Sequence, residues 1–81
     1  MSKSGTVVIA TAGRDKGRLF AVLTTDDKWA SIADGKRRPL ERPKRKSLRH
    51  LQETGVCLDP SAMATNRELR RALRKAQDTI S

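Results

Sequence analysis

Between Thr6 and Leu23 the chain reads TVVIATAGRDKGRLFAVL, two apolar runs joined by a charged segment with a glycine at each end. TVVIAT, Thr6 to Thr11, is rich in β-branched residues and too short for a helix, so it is expected to form a strand; RLFAVLTT, Arg18 to Thr25, is expected to form a second. Gly13 and Gly17 can take backbone conformations that other residues avoid, which predicts a hairpin with Arg14 and Lys16 at an exposed tip. Such a tip can touch successive phosphates, and the bare backbone of the two glycines allows close approach. The plain alternative is a solvated hairpin loop whose charges only aid solubility.

Outward from the hairpin, TDDK (Thr25 to Lys28) reads as a polar turn, WASIA (Trp29 to Ala33) as a third strand, and Asp34-Gly35 as another turn. KRRPLERPKRKSLRH, Lys36 to His50, holds eight of the eighteen Lys and Arg against the single acid Glu41. Pro39 and Pro43 exclude a regular helix or a central strand, so this basic segment is expected to be an extended edge or loop. Leu48 to Gln52 is a candidate last strand, and Gly55 to Ala64 a linker. From Thr65 to Ile80 the period changes. Leu69, Ala72, Leu73, Ala76 and Ile80 share one helical stripe, Arg67, Arg70, Arg71 and Arg74 gather opposite, and Thr65 with Glu68 forms a capping box.

The expected fold class is therefore mainly β: four or five short strands in residues 4–54, a linker over 55–64, and a C-terminal α-helix over 65–80. An open sheet would leave edges prone to aggregation, so the strands are expected to close into a small barrel with the helix against or beside it.

Eighty-one residues bury only about 60% of the unfolded surface. With one Phe, one Trp and no Tyr, the core must come from Val, Ile, Leu and Ala, and a roomy catalytic pocket is not expected. A net charge of +9 and a pI near 10.9 point to a polyanionic partner, nucleic acid first. Membrane binding is disfavoured because no basic helix carries an apolar face with Trp or Phe, and no segment could span a bilayer. The single Cys57 permits neither an intramolecular disulfide nor a cysteine zinc cluster, and the first ten residues lack the apolar core of a signal peptide. The expected location is the cytoplasm.

TVVIATAGRDKGRLFAVL resembles a KOW motif, the strand, glycine loop and strand found in several ribosomal proteins and transcription elongation factors. The following WASIADGK and the basic stretch closing on SLRHLQET are similar to the archaeal and eukaryotic large-subunit ribosomal protein family fourteen-e, and to short bacterial KOW proteins described as RNA-binding. The resemblance covers about Ser4 to Thr54 and, more weakly, the terminal helix. It implies an SH3-like barrel, binding of ribosomal RNA, association with the ribosome, and RNA contact from the loop Gly13, Arg14, Lys16, Gly17 and Arg18. Many KOW motifs carry a further glycine where this chain has Phe20 and Ala21, which leaves the barrel intact but alters the basis for the loop's pose.

Density of charge suits the basic segment to phosphate, since folded RNA is recognised largely through phosphate, sugar and shape. Its candidate contacts are Lys36, Arg37, Arg38, Arg42, Lys44, Arg45, Lys46 and Arg49. RPKRKS, Arg42 to Ser47, also fits a nuclear localisation pattern, common by chance in basic RNA binders. Trp29 could stack on a base but is expected in the core, and Cys57, in GVCL, reads as a small buried hydrophobe. His50 lacks partners at metal-ligand spacing and reads as a surface residue, while Asp26, Asp27 and Asp34 fall at turns, where Asp bonds its own backbone. No acid and base pair, phosphate loop or catalytic triad is recognisable, so neither an enzyme, a cofactor nor a metal is expected. The expectation is structured RNA, ribosomal RNA of the large subunit above all. The alternative is an adaptor that binds a ribosome, translation or transcription protein through the barrel and helix. DNA binding is less supported, with only Asn66 near the helix start as a base-reading candidate.

Overall fold

Val7 and Val8 on the first strand are both fully buried, so this strand must be covered on its two faces. The computed structural model, which describes residues 4–80, shows how. Five strands, β1 (Thr6–Ala10), β2 (Leu19–Thr25), β3 (Trp29–Ala33), β4 (Lys44–Ser47) and β5 (Leu51–Cys57), form one antiparallel sheet in the order β4-β3-β2-β1-β5. A single helix, α1 (Asn66–Ile80), follows. Short 3₁₀ turns at Leu48–His50 and Pro60–Met63 join β4 to β5 and β5 to α1.

One face of the sheet carries Val7, Ala21 and Ala33, which pack against Leu69, Leu73 and Ala76 of α1. The other carries Val8, Ala10, Phe20, Val22, Ala30 and Ile32, joined only by Leu48 and Leu51. Among the described residues no second layer lies on that side, yet Val8, Phe20, Val22 and Ile32 are fully buried, so the sheet curls over itself to enclose them. The expected closure into a barrel is not made by the backbone: the ladder is open, with β4 and β5 as its edges. Side chains instead bridge from β4 to the β1–β2 loop, as described below. Two register shifts, between Thr6 and Val8 where β1 meets β5 and between Val22 and Thr24 where β2 meets β3, accompany the curl.

The expected linker begins too early. Gly55, Val56 and Cys57 continue β5, with Cys57 opposite Thr6 beyond the register shift. Because β5 is an edge strand and Val56 takes the inward position, Cys57 is exposed rather than buried. The expected strand over Leu48 to Gln52 starts only at Leu51, since Leu48–His50 is a 3₁₀ turn with the Ser47 hydroxyl accepting from the Arg49 amide.

Helix α1 begins as its sequence predicts: the Thr65 hydroxyl accepts from the Glu68 amide at 3.1 Å, the hydroxyl half of the capping box. Its first turn is fastened to the Asp34–Leu40 segment. The Asn66 side-chain carbonyl accepts from the Leu40 amide (2.8 Å), and the Arg70 guanidinium donates to the Gly35 carbonyl (2.7 Å). One arginine of the expected basic helix face is thus committed to docking the helix. Gly35 has φ +79°, and a β-carbon there would lie 2.5 Å from the Asn66 carbonyl oxygen, so this close approach requires glycine. Among the described residues no helix is long and apolar enough to cross a membrane.

Candidate nucleic-acid interface

Asp15 is the only acid in the glycine-flanked loop, and the chain places it inward between two cations that point out. Arg14 and Lys16 are exposed, as are Gly13, Gly17 and Arg18, whereas Asp15 is only 5% exposed. Gly13 (φ +81°) and Gly17 (φ +86°) supply the left-handed backbone the turn needs. The loop is closed by its own amides: Gly17 donates to the Ala10 carbonyl (2.8 Å), Arg18 to that of Asp15 (2.9 Å) and Lys16 to that of Gly13 (3.2 Å).

Edge strand β4 then fixes the loop from outside. Lys44 lies opposite Ile32 and Lys46 opposite Ala30, so both lysines share the curled face of the sheet. Lys44 Nζ donates to Asp15 Oδ2 at 2.8 Å, and Lys46 Nζ donates to the Ala12 carbonyl at 2.8 Å. Lys46 is only 7% exposed. Two residues expected to meet phosphate are therefore turned inward, because the curl of the sheet brings the alternate positions of β4 against the β1–β2 loop. Together they tie the edge strand β4 to the β1–β2 loop.

The hydrogen bond from Lys44 holds the Asp15 carboxyl below the usual aspartate range, against its burial, with further help from the charges of Lys44, Arg38 and Lys46. A carboxyl depressed in the folded state stabilises it fully above the unfolded value and loses that contribution as pH falls below it, here from about pH 4 downward. Asp15→Asn should cost about 1–3 kcal/mol at pH 7, since it takes the counter-charge from Lys44, whose side chain is 29% exposed. In urea unfolding the gap between Asp15→Asn and the parent chain should narrow as pH falls below the ordinary aspartate range and through the depressed Asp15 value. A constant gap would show that the clamp is not ionic.

The remaining expected contacts fall into separate places. Arg38, half-buried, sits in the Asp34–Arg38 turn, close enough for its charge to help lower the Asp15 carboxyl. Lys36 and Arg37 are exposed on the turn fastened to α1, and Arg42 is exposed just beyond it. In that turn the Asp34 carboxylate accepts from the Lys36 and Arg38 amides, each at 2.9 Å, as expected of a turn aspartate. Arg45 and Arg49 are exposed, and Arg45 stands on the β4 face opposite to Lys44 and Lys46.

Trp29 is not in the core. It is 41% exposed, with the Arg45 guanidinium 4.8 Å from the centre of its ring. Along β3, Ala30 and Ile32 fill the curled face, which leaves Trp29, Ser31 and Ala33 on the helix side. Helix α1 covers Ala33, but Trp29 lies four residues away, roughly 13 Å along the strand, beyond the helix's reach. Asp26 fixes the start of β3: Oδ1 accepts from the Lys28 amide (3.0 Å) and the Trp29 amide (2.8 Å), while Oδ2 stands 4.0 Å from Arg45. Those two amide bonds hold the Asp26 carboxyl below its ordinary range.

No protein-family model matches the chain, and no curated protein is significantly similar to it. Its chemistry has to be read from these groups. Among the described residues no three His, Cys, Asp or Glu side chains gather closely enough to hold a metal ion. Sequence reasoning missed Asp15 and the platform of Trp29 with Arg45. A lone acid between two cations, in a chain of net charge +9, was the available signal for the first. Strand alternation, which sets Trp29 with Ser31, was the signal for the second.

Proposed function

We propose that the protein binds structured RNA, with ribosomal RNA of the large subunit as its target, through the Gly13–Gly17 loop. The observation that carries this reading is the clamp: a loop whose backbone is held by Lys44 and Lys46 from another strand presents Arg14 and Lys16 outward. Cations that only aided solubility would gain nothing from such fixing, whereas recognition of phosphates by shape requires it. Exposed Arg18, Lys36, Arg37, Arg42, Arg45 and Arg49 extend the positive surface. The fold reading that goes with this function is an SH3-like barrel of the KOW type. It is supported by a meander whose fifth strand returns beside the first and by the self-enclosed cluster around Phe20.

Arg14→Gln with Lys16→Gln tests the reading. Each lost phosphate contact should weaken binding of a folded ribosomal RNA fragment, by about tenfold or more for the pair, and should reduce the salt slope by roughly 0.9 per contact. Tagged protein should travel with the large ribosomal subunit through a sucrose gradient, and the double variant should stay near the top. Unchanged RNA affinity of the double variant would overturn the reading and favour an adaptor that binds protein.

A further inference from the structure

Resting on the RNA-binding reading, we infer that Trp29 and Arg45 form a second contact site, which takes an unpaired nucleobase of the bound RNA by stacking. An exposed Trp in a chain with only two aromatic residues is costly to leave in water, and here it is held rather than loose. Its amide is bonded to Asp26, its neighbour Lys28 accepts from the Leu48 amide at 2.9 Å, and Arg45 lies over its ring while facing the same Asp26. The backbone that carries the ring is thus held, and Arg45 packs against the ring. Indole rings and guanidinium planes are both surfaces on which unstacked bases stack, and neither selects strongly among bases.

Beside the ring lies a cleft of about 480 Å³, bordered by Lys28, Trp29, Ser47, Leu48, Arg49 and His50, with Asp27 also on its wall. That volume falls within the range of small-ligand sites, about 300–1,000 Å³. Leu48 gives it an apolar floor for a base, while Lys28 and Arg49 are exposed cations for the flanking phosphates. The site is separate from the Gly13–Gly17 loop: Lys44 and Lys46 of β4 face the loop, and Arg45 between them faces Trp29. One short strand therefore serves both places, with alternate residues. The ligand is an RNA that offers a paired stem to the loop and an unpaired base to the platform.

Trp29 is the only tryptophan, so its fluorescence reports this site alone. The protein is titrated at low salt with two RNAs of equal length, a fully paired duplex and a hairpin bearing an unpaired loop, and Trp29→Ala is titrated with the same two. Stacking predicts quenching by the hairpin RNA and little change with the duplex. It also predicts that Trp29→Ala loses about 5- to 150-fold in affinity for the hairpin RNA and almost nothing for the duplex. Trp29→Phe should recover most of the loss. Binding of both RNAs without quenching, or an equal effect of Trp29→Ala on the two, overturns the stacking site and leaves the RNA reading standing. Failure of both RNAs to bind overturns the two together.

Discussion

Between 50 and 200 mM monovalent salt, affinity for folded RNA should fall by a few hundred-fold. The expectation follows from counterion release: if about five phosphates are neutralised, log K falls with log salt at a slope near −4.5, and a fourfold rise in salt costs about 2.7 decades. The structure sharpens this into a test of individual residues. Arg14, Lys16, Arg18 and Arg45 are exposed, whereas Lys46 is spent on the Ala12 carbonyl and Lys44 on Asp15. Removing an exposed cation should flatten the slope by roughly 0.9. Replacing Lys44 or Lys46 by Met should weaken binding through the loop's lost pose while leaving the slope almost unchanged. The measurement is a set of binding isotherms at four salt concentrations for each variant. A slope near zero for the parent chain would remove RNA from consideration, and an equal loss of slope at Lys46 would show that its ammonium faces phosphate after all.

The second large effect is on stability, at Gly35. Gly35→Ala should destabilise by about 3–4 kcal/mol, combining left-handed backbone strain of roughly 1–2 kcal/mol with an overpacking cost of about 1–3 kcal/mol. Its new methyl would meet the Asn66 carbonyl oxygen at 2.5 Å and the Arg70 amide nitrogen at 3.3 Å, backbone atoms of the first turn of α1 that cannot swing aside. The helix must shift, and with it the cover of Val7, Ala21 and Ala33 by Leu69 and Leu73. For a domain whose whole stability is on the order of 4–12 kcal/mol, this is a large share. Gly17→Ala is the control, since its φ is also positive at +86° but nothing lies within 4 Å of the new carbon. It should cost only the strain, about 1–2 kcal/mol. Urea midpoints compare the two, and equal shifts would mean that the close approach at Gly35 is not rigid.

Much of this architecture was legible in the residues. The β-branched run TVVIA, the alternation in WASIA and the five-residue apolar stripe of α1 each state their period, and these three elements begin and end within a residue or two of the reading. Asp26 and Asp34 were legible as turn residues because their short carboxylates reach amides two to four positions on. The continuation of β5 was not. Gly55 breaks the local pattern, and its strand persists only because β1 lies alongside to pair with Cys57. The inward turn of Lys44 and Lys46 was hidden for a similar reason: charge density in a sequence is blind to which alternate positions of a four-residue strand a curled sheet will enclose. Trp29 was misplaced by weighing its size above its position, four residues along β3 from the last point the helix covers.

The two lysines that fasten the loop stand 29 and 34 positions beyond their partners in the chain. A fragment that ends before residue 44 therefore contains the whole β1–β2 hairpin but neither of the groups that fasten its loop. In such a fragment Arg14 and Lys16 keep their charge but lose the fastening of the loop that carries them. On the proposed reading, discrimination of one folded RNA from another comes only with the pairing of the fourth strand, so such a fragment should hold polyanions without selecting among them.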